Sequence, residues 1–176
     1  ATDVRVSRMR SPHDPKSLTA RLTLALHRNP ECLTVLLLEP PPEQRARPHA
    51  CHLGRRPDRA LQLLVVNHGG RESVELFEVQ ETPSGPALAW RGCAVAPEGS
   101  WLNDVVALPD GGFLATQMMP RRGRLGQVFE YLKAGGLGLR TGHVLAWDAA
   151  NGFAMQPGTQ TVFPNGIALS PDGSTI

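Results

Sequence analysis

Aromatic side chains make up only 5% of this 176-residue chain, and lysine is almost missing, with Lys16 and Lys133 as its two examples. Proteins that bind single-stranded nucleic acid combine stacking rings with a marked basic surplus. A net charge of +2 and so few rings exclude that class, and no nucleic-acid partner is expected. The basic residues are chiefly arginines: Arg45, Arg47, Arg55, Arg56 and Arg59 in one polar stretch, Arg121, Arg122 and Arg124 in another, both read as solvated loops. No apolar run approaches the roughly 20 residues of a membrane-spanning helix, and no apolar signal core stands near Ala1, so no transmembrane segment is expected. Cys32, Cys51 and Cys93 are odd in number and form no CxxC pair, which argues against a zinc site and a closed disulfide framework. They read as small buried or surface thiols.

What is plentiful is punctuation: 18 glycines and 16 prolines in a chain that is 41% apolar and 19% charged, a globular composition. Pro-Asp-Gly stands six residues after Asn103 and again six residues after Asn165, in NDVVALPDGG and NGIALSPDGS. Each copy is an Asn, a short apolar run, and a proline-led turn whose Gly is free to take positive φ. The apolar run FLAT follows the first turn, so that copy reads as a hairpin. The copies lie 62 residues apart (165 minus 103), and a degraded Pro57-Asp58 turn precedes Pro109 by 52 (109 minus 57). Self-similarity near 50 residues is the length of a β-propeller blade.

An all-β fold follows, of about three blades. Since propellers typically close with about 4 to 8, the chain is expected to be a fragment of a larger one. Residues 1–32 read as irregular or part of a blade, with a strand pattern at 21–27, and residues 33–176 as a partial propeller truncated at its C-terminus. LTVLLLE, LQLLVVNH, SVELFEVQ, ALAWRGCAV and HVLAWDA read as strands, LQLLVVNH and SVELFEVQ as a hairpin closed by GGRE, and the stretch from Met155 to Phe163 supplies a further strand. Between Met118 and Gly142 the period changes. Leu125, Val128, Phe129 and Leu132 fall at i, i+3, i+4 and i+7, an amphipathic helix inserted over one face and ended by Gly135 and Gly136.

Asn103 and Asn165 open their repeats, where equivalent positions of adjacent blades converge on the propeller axis. Neutral amide oxygens are hard ligands that suit Ca²⁺. Asp104, on the opposite side of an extended strand from Asn103, serves a second ion or the loop alone. Asn165-Gly166 also fits a plain turn. His68 ends an apolar strand before Gly69-Gly70, and His49 follows Pro48; an imidazole at such a place is a candidate general base, or a group hydrogen-bonded to a loop carbonyl. His13, His27, His52 and His143 read as structural or surface groups.

In order and spacing, VVNHGGRESVELFEV, LNDVVALPDGGFLAT and FPNGIALSPDG resemble the paraoxonase/arylesterase group within the wider gluconolactonase-like propellers. Pro48-His49, 19 residues before His68 (68 minus 49), belongs to the same pattern. The resemblance covers roughly residues 33–176 and implies a six-bladed propeller. Asn103 and Asn165 would be ligands of a catalytic Ca²⁺, Asp104 of a structural one, and His49 with His68 a base dyad. The segment from Met118 to Gly142 would correspond to an active-site loop and helix. The implied activity is calcium-dependent hydrolysis of a small lactone or aryl ester. The family's acidic first-blade ligand has no counterpart near the N-terminus, and its Asp-Asn ligand pair would lie beyond Ile176. The rival expectations are a non-catalytic propeller used as a binding scaffold, and a metal-free propeller of the strictosidine-synthase-like branch.

Overall fold

The computed structural model describes residues 47–176 apart from Ser84. The readings made on residues 1–46, including the strand patterns at 21–27 and 33–39, Cys32 and Arg45, lie outside the described residues.

Two four-stranded antiparallel sheets follow one another along the chain, each a simple meander. The first is β1 (Pro48–Arg55), β2 (Leu61–Asn67), β3 (Ser73–Thr82) and β4 (Gly85–Val95); the second is β5 (Leu102–Ala107), β6 (Phe113–Gln117), β7 (His143–Asp148) and β8 (Gly152–Met155). The GGRE hairpin forms as expected between β2 and β3. Two readings are corrected. The first Arg-rich stretch is loop only in part: Arg55 ends β1, while Arg56 and Arg59 lie in the turn that follows, where Arg56 pairs with Asp58 and Glu78 at 2.7 and 3.2 Å. The last strand lies before the stretch from Met155 to Phe163, ending at Met155; beyond it a single bridge joins Gly142 to Thr161.

The Pro-Asp turns share one hydrogen-bond pattern. The N–H of Arg59, Gly111 and Gly173 donates to the carbonyl of Arg56, Leu108 and Ser170, at 2.8, 3.1 and 2.8 Å. Asp58, Asp110 and Asp172 each accept from the amide two residues on, at 3.0, 2.9 and 3.1 Å. Proline presets φ at the first corner and Asp closes an Asx turn, so local chemistry alone repeats the shape. The third position has positive φ in all three, 67° at Arg59, 94° at Gly111 and 70° at Gly173.

The main core lies between the sheets: Leu64, Val66 and Val74 from the first meet Leu102, Val105, Phe113 and Leu145 from the second. Phe113 is fully buried and stacks on Trp147 at 5.0 Å, with Phe153 edge-on at 5.7 Å. Burying one such side chain is worth about 1.5–3 kcal/mol, so this layer holds the two sheets together. Small residues permit close approach: a Cβ on Gly54 would stand 2.8 Å from that of Ala107. On its other face the second sheet carries Val106, Leu114 and Val144, covered by Ile167 and Leu169 of the C-terminal segment.

The insertion is helical, α1 (Arg124–Tyr131) followed by a π turn over Leu132–Gly136. Its apolar stripe does not face the core. Leu125 is 89% exposed and Val128, Phe129 and Leu132 are more than half exposed, while Glu130 is buried against Lys133 at 3.1 Å. The cysteines also differ from expectation. Cys51 is free and exposed, but Cys93 is disulfide-bonded.

Candidate functional site

Three of the candidate residues sit in strand irregularities. The β1–β2 register shifts between Pro48 and Cys51, which takes in His49, and the β5–β6 register shifts between Leu102 and Val105, which takes in Asn103 and Asp104. A bulge re-aims side chains that alternation would send elsewhere. Here it lets Leu102 and Val105 enter the same core layer while Asn103 turns to β1. Across the gap between sheets, Asn103 Nδ2 meets His49 Nε2 at 3.1 Å and Met118 Sδ at 3.1 Å. The His49 ring lies 5.0 Å from that of His68. Asn103 is buried, yet its Oδ1 accepts no hydrogen bond from any described residue.

Asn165 arrives from the C-terminal segment beside these groups. Its main-chain carbonyl accepts from Thr116 Oγ1 at 2.8 Å, and the same hydroxyl accepts the Asp104 N–H at 3.0 Å. The Asn165 side chain is exposed and makes no hydrogen bond to a described residue. Asp104 clips this segment to β5: Oδ2 takes the Ile167 N–H at 3.1 Å, and Oδ1 takes the Val105 N–H at 2.9 Å. The structure thus brings His49, His68 and Asn103 into one contact chain and seats the Asn165 backbone one hydroxyl away from Asp104.

Sequence reasoning missed two residues. Asn67, 2% exposed, folds the loop that carries His68: its Oδ1 accepts the Arg47 and Gly69 amides at 2.8 and 3.0 Å, and its Nδ2 donates to Gly69 O and Ser73 Oγ. With the His68 N–H donating to Arg47 O at 3.1 Å, this fixes the start of β1 and hence His49 beside His68. The second is Glu72, whose carboxylate, 8% exposed, meets His68 Nδ1 at 2.9 Å. An Asn directly before a candidate His was a signal for the first; Glu72 gave none.

An apolar wall stands nearby. Trp101 and Phe163 each precede a repeat Asn by two residues, and Tyr131 of α1 packs between them, with centroids at 6.2 and 6.0 Å. Tyr131 and Phe163 also line, with Ala134, Gly135 and Val162, an open cavity of about 280 Å³.

Among the described residues no three His, Cys, Asp or Glu side chains gather as in a metal centre. The oxygen donors here are two amides and one carboxylate, the chemistry of a hard cation rather than zinc. No described helix is long and apolar enough to cross a membrane. No family model matches the chain, and no curated protein matches it.

Proposed function

We propose that the chain is part of a calcium-dependent hydrolase acting on lactones or aryl esters. In this reading the two meanders are successive blades of a six-bladed β-propeller and Asn165 opens the next. The three matching turns support the blades, since the first two join strand one to strand two of their sheets and the third follows Asn165 at the offset seen after Asn103.

The observation that carries the reading is the Asn103 side chain, anchored through its nitrogen to His49 in a residue only 7% exposed, with its accessible oxygen claimed by no described donor. That oxygen is not among the fully buried unpartnered side-chain atoms, so it is open to a ligand, and a neutral amide oxygen is a hard donor that suits Ca²⁺. Asn103 and Asn165 would hold Ca²⁺ through their amide oxygens, and Asp104 a second ion. Bound there, the cation supplies Lewis-acid polarisation of an ester carbonyl and stabilisation of the oxyanion. The chain's own residues do the rest. The histidine pair takes the proton of the attacking water, and Trp101, Tyr131 and Phe163 offer an apolar surface to an acyl or aryl group.

The test is hydrolysis of phenyl acetate and a γ-lactone with calcium titrated in, alongside calorimetric calcium binding. Asn165→Ala lowers calcium affinity and rate together, with partial rescue by excess Ca²⁺. His68→Gln leaves calcium binding in place and lowers turnover by about 10²- to 10⁴-fold. Hydrolysis unchanged by exhaustive chelation overturns the calcium chemistry, and tight calcium binding without hydrolysis leaves a binding scaffold.

A further inference from the structure

We infer that Glu72 is the positioning residue that fixes the tautomer of His68 and thereby makes His68 Nε2, rather than His49, the proton acceptor of the site. The inference deepens the hydrolase reading and rests on it only for its kinetic consequence.

Glu72 leaves the β2–β3 loop and reaches the second sheet. Its Oε1 accepts the Leu102 N–H at 2.7 Å and its Oε2 accepts Arg121 Nη1 at 2.9 Å. A main-chain amide and a guanidinium can only donate, so both oxygens are acceptors. His68 Nδ1 lies 2.9 Å from the same Oε1. A carboxylate held in this way presents only lone pairs to the ring, and Nδ1 must carry the proton. His68 Nε2 keeps its lone pair.

His49 is differently engaged. The atom of Asn103 facing His49 Nε2 also faces Met118 Sδ at 3.1 Å. A thioether accepts and never donates, so the amide nitrogen belongs there and donates to both. The His49 Nε2 lone pair is therefore occupied, while no described side chain donates to Nε2 of His68. In the reaction a water proton passes to His68 Nε2, leaving hydroxide, and the imidazolium that forms lies against the Glu72 carboxylate. Docking of β5 on the first sheet orients that carboxylate, because the Leu102 amide holds it.

The test reads the tautomer directly. In long-range ¹H–¹⁵N spectra of the ¹⁵N-labelled chain, His68 shows a protonated Nδ1 and a bare Nε2. Glu72→Met, similar in size and without oxygens, returns His68 to the Nε2–H form usual for free imidazole. Glu72→Gln, which keeps an oxygen for Nδ1–H, retains the native pattern. Where the protein hydrolyses esters, Glu72→Met lowers kcat by about 10- to 100-fold with KM nearly unchanged, and Glu72→Gln loses less. A wild-type His68 in the Nε2–H form, or one that keeps Nδ1–H in Glu72→Met, overturns the inference. So does a tautomer switch that leaves kcat untouched. Should Glu72→Met fail to fold, the wild-type spectrum decides, and it does so whether or not the protein proves to be a hydrolase.

Discussion

The hydroxyl of Thr116 donates to the main-chain carbonyl of Asn165 across 2.8 Å, joining β6 to a segment 49 residues further along the chain. Because the same oxygen accepts the Asp104 amide, one side chain ties both repeat Asn positions to a single place. Thr116 is 2% exposed, so neither bond is exchanged for water at little cost.

Thr116→Val keeps the shape and removes both bonds, orphaning a half-buried N–H and a carbonyl. We expect a loss of about 1–3 kcal/mol in chemical denaturation, with Thr116→Ser close to wild type. If the Asn165 oxygen binds calcium, the valine variant also weakens calcium binding. A valine variant as stable as wild type would show that the hydroxyl does not organise the site.

Two of the three turns make opposite predictions. Arg59 holds φ at 67°, where a Cβ costs roughly 1–2 kcal/mol. Arg59→Gly should raise the melting temperature, because its carbonyl bond to the Arg55 side chain survives the change. Gly111→Ala, at φ 94° with the new Cβ 3.4 Å from Pro57, should lower stability by about 1–2 kcal/mol.

Gly142 admits no side chain. A Cβ there would overlap the carbonyls of Gln117 and Met118 and stand 2.6 Å from Pro164 Cδ. Since backbone is the obstacle, Gly142→Ala should cost at least the about 1–3 kcal/mol of ordinary overpacking and displace the segment that bears Phe163 and Asn165. Amide chemical-shift changes concentrated at residues 161–167 would mark that displacement; changes confined to residue 142 would contradict it.

Acid should loosen the last turn. The Ser170 hydroxyl first, then the amide and hydroxyl of Ser174, hold the Asp172 carboxyl down to about 2 from its ordinary 3.8. The folded value is lower than the unfolded one, so the turn gains from the charged form. Its contribution is complete above about pH 4 and is lost as pH falls from there toward 2. A carboxyl ¹³C titration of Asp172 with its midpoint near 3.8 would contradict this.

The sequence by itself determined what depends on neighbours along the chain. Proline φ, Asp capping and a permissive third position made the three turns legible, and alternating apolar residues marked most strands, because their causes lie within a few residues. The helix over Arg124–Tyr131 was legible in the same way. Tertiary structure decided which way each element faces and whom it meets. The apolar stripe of α1 turns outward because the buried positions of the insertion are Glu130, paired with Lys133, and Ala134. Two strand bulges, rather than strand alternation, aim His49 and Asn103 at each other. Glu72 acquires its place only when β5 docks, since the amide that holds it lies 30 residues away. A charged residue after a Gly-rich turn looks solvated in sequence, and a partner supplied by another sheet is what turns it into an anchor for His68.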